Sequence, residues 1–191
     1  SASCVALIRK AGLEDEIQLN IEVNHATLSG HSFEHEISYA IANNALGSID
    51  INRGDTLLGW DTDQFPNNPA DLLLAFYHIF SNGGFSQGGL NFDAKIRRQS
   101  IEPQDLFYAH IGGMDVAART LLAVEKMIND NELLSYVKNR YKDWNNNLGN
   151  FIHDKNNNLE SIANKVIDDK LNPHPRSGNQ EFLENMINKY L

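Results

Sequence analysis

A single cysteine, Cys4, stands in the 191 residues, which excludes an internal disulfide framework and a thiolate zinc site and suits a reducing compartment, with the cytoplasm as the expected one. No run of apolar residues approaches the ~18 needed to cross a bilayer, and the first residues lack the basic start and apolar core of a secretory signal. No membrane partner is therefore expected. Basic residues are scarce: 16 Lys and Arg face 25 Asp and Glu, for a formal charge of -9. That balance argues against a nucleic-acid partner, whose phosphates must be neutralised by a basic surface. Arg97-Arg98 reads as part of a solvated loop rather than of a basic stripe.

Length sets a second bound. The chain can bury a real core, but a closed eight-stranded α/β barrel typically takes about 250 residues, because every strand needs its helix before the sheet closes.

Three segments follow a common plan of β-type run, loop and helical pattern: 17–24, 46–52 and 88–93. In the first, Ile17, Leu19, Ile21 and Val23 alternate with Gln18, Asn20, Glu22 and Asn24, giving one apolar and one polar face. A helix is predicted over 32–43, with Phe33, Ile37, Ala40 and Ile41 on one stripe. After the second segment comes a long acidic loop to Pro69, then a helix whose buried face is Leu73, Phe76, Tyr77 and Phe80, stopped by Asn82-Gly83-Gly84. After the third, Pro103 starts a long helical region to about Asp130, which Gly112-Gly113 is expected to break or bend. Alternation at this spacing implies parallel βαβ units. Residues 131–191 read as helical, with breaks at Asn145-Asn146-Asn147 and Asn156-Asn157-Asn158 and a terminal amphipathic helix over 180–191. They are expected to form an extension that packs on a partner subunit, and residues 1–130 the α/β part.

Glu22, His25, Asp50, Asp61, Asp63 and Asp93 sit at or just after the carboxyl ends of the predicted strands, where barrel enzymes build their sites. Converging carboxylates repel unless a cation neutralises them. Oxygen-rich ligation with one nitrogen favours hard or borderline ions such as Mg²⁺, Mn²⁺ or Co²⁺. Glu22 and His25 can share an ion only if the chain turns after the strand, whereas Asp61 and Asp63, at i and i+2 of an extended segment, share a face. Taken singly, the loop aspartates also fit turn formation. Acidic residues in apolar parallel strands, as at Glu22 and Asp93, are costly to bury without a partner.

His31 and His35, at i and i+4, superficially match a zinc-binding helix but lack a Glu directly after the first His. The simpler expectation is a helix start at Ser32, with Glu34 and Glu36 at its positive end.

Long blocks of the chain resemble class II xylose isomerases: residues 20–27 with Gly30-His31, Gly47-Ser48-Ile49-Asp50, residues 58–66, residues 88–95, residues 105–115 and residues 177–181. The resemblance spans essentially the whole chain but only the carboxyl-terminal portion of the family. It implies a partial TIM (β/α)8 barrel of about three βα units plus a helical extension. It further implies Glu22 as a carboxylate bridging two divalent cations, Asp50 and Asp93 as ligands of the substrate-binding ion, and His25, Asp61 and Asp63 as ligands of the second. A further carboxylate and a carbonyl-polarising lysine of the family's fifth strand have no counterpart here, nor do a ring-opening histidine and aromatic residues that shield the hydride path; residues 5–13 read as the tail of the fifth helix. The implied activity is aldose–ketose isomerisation of D-xylose to D-xylulose by a metal-assisted 1,2-hydride shift, in a cytoplasmic homo-oligomer. This portion alone is expected to be inactive. The alternative is a non-catalytic, self-associating barrel fragment with a residual divalent-metal site. A zinc phosphodiesterase acting on DNA on a related barrel fits less well, given the acidic charge and the single His among six ligands.

Overall fold

A computed structural model describes residues 1–191, which divide into two compact units, Ser1–Asn129 with Tyr190–Leu191 and Asp130–Lys189. In the first unit, helix α1 (Ala2–Ala11) precedes strand β1 (Leu19–Glu22), helix α2 (Val23–Leu28), helix α3 (Phe33–Ala42) and strand β2 (Leu46–Asp50). Strands β3 (Arg53–Asp55) and β4 (Trp60–Gln64) follow, then helix α4 (Ala70–Ser81), strand β5 (Leu90–Asn91) and helix α5 (Pro103–Asp130).

The order β1-β2-β5 makes a parallel sheet with β2 in the middle. Its core follows the alternation in part: Ile21 and Ile49 are buried at paired positions and Ile51 follows β2 with no exposed surface, whereas Ile17 lies before β1 and is 44% exposed and Val23 is buried as the first residue of α2. Helices α3 and α4 pack on each other, and α3 packs on the sheet. They contribute Phe33, Ile37 and Ala40, and Leu72, Leu73, Phe76 and Ile79, all buried. Each large apolar side chain so buried contributes roughly 1.5–3 kcal/mol. Ser32 caps α3 by accepting from the His35 backbone N–H at 3.1 Å, as the sequence indicates.

Four local expectations change. The stretch expected as a loop to Pro69 contains an antiparallel hairpin, β3 with β4. Asp55 tightens its turn by accepting from the backbone N–H groups of Leu57 and Leu58 at 3.1 Å, a side-chain turn that mimics backbone pairing and leaves no apolar alternation to read. The third segment forms only a two-residue strand, Leu90–Asn91. Phe80 is 39% exposed rather than buried, since the packed face of α4 is filled by Leu72, Phe76 and Ile79. Lastly, α5 runs unbroken through Gly112-Gly113. Gly113 is there for closeness: a Cβ at that position would lie 2.9 Å from a ring carbon of Phe65 and 3.3 Å from one of Phe92. No helix is long and apolar enough to cross a membrane.

The second unit is helical: α6 (Glu132–Arg140), a 3-10 turn (Lys142–Asn145), α7 (Asn147–His153), α8 (Leu159–Asp168) and α9 (Gln180–Asn188). Its asparagine runs act as helix starts. Asn146 accepts from the backbone N–H groups of Leu148 and Gly149, and Asn158 forms a reciprocal capping box with Ser161.

Candidate metal centre

Register positions the carboxylates. Parallel pairing sets Glu22 beside Asp50 at the carboxyl ends of β1 and β2, and Asp50 beside Asn91 of β5, two residues before Asp93. The chain leaves β1 directly into α2 at Val23, supplying the turn that a Glu-x-x-His pair needs. His25 Nδ1 then lies 3.1 Å from Glu22 Oε2, and its Nε2 lies 3.1 Å from Asp61 Oδ2.

Two groups of possible ligand atoms result, each lying within 4.8 Å: Glu22, His25 and Asp61, and Glu22, Asp50 and Asp93. Glu22 is common to both. Five of the six sequence-derived residues are thus gathered. Asp63 stands next to them in a different way. Its backbone is left-handed, with φ 41°, so the simple period-two alternation with Asp61 does not hold there. Its carboxylate accepts from Lys95 Nζ at 2.8 Å and from Asn24 Nδ2 at 3.4 Å, and Asn24 Nδ2 also bonds Asp61. The two aspartates therefore converge on one amide. The Lys95 hydrogen bond holds the Asp63 carboxyl below the usual range, and Asp63 in turn raises the Lys95 ammonium.

The carboxylates are oriented by asparagine amides. Asn20 and Asn91 each donate to Asp50, the latter at 2.9 Å. Asn52 donates to Glu22 Oε1 at 2.7 Å and to the Asp93 carbonyl at 2.8 Å, and accepts from the Asn24 backbone N–H at 3.0 Å. Asn52 thereby ties the ends of all three parallel strands. Gly54 lets Asn24 approach, since a Cβ there would overlap the Asn24 side chain. Asn24 and Asn52 have 0% and 1% exposure. These residues were not among the sequence-derived candidates. Their signal is nonetheless present: each stands two residues from an acid, as Asn20 and Asn24 about Glu22, Asn52 after Asp50 and Asn91 before Asp93.

The donor set fits divalent cations. Glu22, with a side chain 10% exposed, and Asp50, at 9%, are acids held nearly out of water. Amide dipoles orient such groups without cancelling their charge, and Lys95 is bonded only to Asp63. Asn24 Oδ1, buried in the same cluster, accepts no hydrogen bond. Oxygen ligands with one imidazole suit ions of the Mg²⁺ or Mn²⁺ kind.

Comparison with known proteins gives the family. A family model described as the XylA2 C-terminal domain matches residues 137–191. A protein named xylose isomerase from Solibacter usitatus is 52% identical over 180 residues, covering 94% of this chain and 41% of the relative. Namesakes from Mesorhizobium japonicum and Histophilus somni are 50% and 53% identical over 190 residues, covering 100% of this chain and 43% of each relative. The chain thus spans about two fifths of the length of the curated relatives it matches.

Proposed function

The chain is homologous along its whole length to the carboxyl-terminal portion of xylose isomerases, and from that premise we propose that it supplies most of a two-cation aldose–ketose isomerase site. The observation that carries this reading is Glu22, one carboxylate belonging to two ligand groups at the carboxyl ends of adjacent parallel strands. The three strands are read as successive strands of a (β/α)8 barrel, which builds its chemistry at that end of its sheet.

In this reading Glu22, Asp50 and Asp93 hold one ion, and Glu22, His25, Asp61 and Asp63 hold the other, with Mg²⁺, Mn²⁺ or Co²⁺ as the cations. When bound, the cations would polarise the sugar oxygens between which hydrogen moves as D-xylose becomes D-xylulose. The chain's own residues do the positioning. Asn20 and Asn91 fix both oxygens of Asp50, Asn52 fixes Glu22, and Lys95 holds Asp63. Since the chain spans two fifths of its relatives, the remaining length must supply the rest of the barrel and its catalytic groups, and this portion alone does not turn over sugar.

Residues 131–191 are proposed as an extension that packs on a partner subunit of a cytoplasmic homo-oligomer; Leu159 and Ile167, 86% and 70% exposed, suit such a contact. A second reading, self-association without catalysis, draws on the sheet order, which leaves β1 and β5 each with one unpaired edge.

The test is D-xylose isomerisation with Mg²⁺ or Mn²⁺ by this chain alone and by a fusion carrying the preceding portion of the Histophilus somni relative. The fusion should turn over xylose and the chain alone should not. An inactive but folded and assembled fusion would overturn the catalytic reading, and ordinary turnover by the chain alone would overturn the need for the remainder.

A further inference from the structure

We propose that His31, His35 and Glu36 form a separate binding site for a borderline first-row cation of the Zn²⁺ class, built by the loop that enters α3. Three ligand atoms from three residues meet in a near-equilateral triangle. His31 Nδ1 lies 2.9 Å from Glu36 Oε1, His35 Nδ1 lies 3.0 Å from the same oxygen, and the two nitrogens are 3.1 Å apart.

Hydrogen bonding alone leaves that triangle frustrated. A carboxylate oxygen only accepts, and each neutral imidazole carries one proton on one of its two nitrogens. If both Nδ1 atoms donate to Oε1, two N–H groups face each other; if one is bare, its contact with the carboxylate sets two acceptors together. A single cation on one side of the triangle satisfies all three lone pairs at once. The dimensions agree with one face of a six-coordinate site: three ligands at right angles about an ion, each about 2.1 Å away, stand roughly 3.0 Å apart, against about 3.4 Å in a tetrahedral one. Two imidazoles with one carboxylate on one face also match a known arrangement for first-row ions, with the remaining positions open.

The support around the triangle is already in place. Glu36 has a side chain only 9% exposed and stands in the first turn of α3, so its carboxylate is held in place beside the two rings. His35 is anchored through its backbone N–H to Ser32 Oγ. The imidazoles, 46% and 57% exposed, leave the open face accessible, and a cavity of about 400 Å³ adjoins all three residues. None of the three belongs to the carboxylate centre, and two nitrogens among three ligands select a softer ion than that centre does.

Calorimetric titration of the Glu22→Gln chain with Zn²⁺ isolates this site, because that substitution removes the carboxylate shared by both other groups. One Zn²⁺ should still bind, and adding His35→Ala should weaken it at least about tenfold, with His31→Gln doing the same. Failure of Zn²⁺ to bind Glu22→Gln below millimolar concentration, or equal binding with and without His35, would overturn the site. A second readout needs no substitution. On adding Zn²⁺ to the parent chain, the His31 and His35 ring resonances should shift together as this site fills, and resonances unmoved at saturating Zn²⁺ would overturn the proposal. Neither measurement reads Mn²⁺ at the carboxylate centre, so the two sites stand or fall separately.

Discussion

Replacing Asn52 by Leu tests whether the asparagine amides hold the strand ends together. The change is nearly isosteric and deletes three hydrogen bonds at a residue 1% exposed: to Glu22 Oε1 at 2.7 Å, to the Asp93 carbonyl at 2.8 Å and from the Asn24 N–H at 3.0 Å. The bond to the ionised Glu22 is worth about 1.5–3 kcal/mol and each neutral bond about 1 kcal/mol, and partners left buried and unpaired keep the loss near the upper end. The Leu side chain returns about 1–2 kcal/mol of apolar burial. The net expectation is a loss of about 3–4 kcal/mol, equivalent to a fall in Tm of roughly 6–16 °C for a chain of this size. Urea unfolding followed by circular dichroism measures the first number. Calorimetric Mn²⁺ titration measures the consequence for the site, an affinity roughly 10–100-fold weaker because Glu22 loses the donor that orients it. Stability within about 0.5 kcal/mol of the parent together with unchanged Mn²⁺ affinity would refute the argument.

Gly54→Ala should cost about 1–3 kcal/mol, since the added methyl must displace the buried Asn24 side chain, and it should weaken Mn²⁺ binding as Asn24 moves off Asp61 and Asp63. Lys95→Met should raise the apparent pKa of Asp63, whose depression comes first from the Lys95 hydrogen bond, and carboxyl carbon chemical shifts across an acid titration would report it. Tyr77 is 6% exposed and burial raises its hydroxyl pKa. A group whose folded pKa lies above its unfolded value gives stability that is complete below about pH 10 and is lost as pH climbs through the folded value. Tyr77→Phe should therefore flatten the alkaline decline measured by denaturant unfolding between about pH 9 and 11, and an unchanged slope would contradict it.

Much of this site was legible because strand periodicity is strict. Period two places Leu19 and Ile21 on one face and Asn20 and Glu22 on the other, though it also claimed Ile17, which is exposed, and Val23, which opens α2; the acids at strand ends single out Glu22, Asp50 and Asp93 from the residues alone. The hairpin was not legible, since its register is set by Asp55 binding two backbone N–H groups rather than by apolar alternation. Gly113 misled for a related reason. Propensity marks glycine as a breaker, while its use here is the approach of Phe65 and Phe92, a contact made across long sequence separation. The asparagines were visible as part of a polar face, but only the register of three strands shows that their amides are spent on carboxylates. The His31–His35 pair was visible as an i, i+4 spacing and read as a helix start, and what the spacing could not show is that His31 stands in the loop before α3 with its ring on Glu36.

The most direct measurement of the central claim is Mn²⁺ stoichiometry and affinity for the parent chain, Asp50→Asn and Glu22→Gln. Sharing of Glu22 predicts that Asp50→Asn weakens one ion and leaves the other, while Glu22→Gln removes Mn²⁺ binding at both groups together. Wild-type stoichiometry and affinity in Glu22→Gln would contradict it.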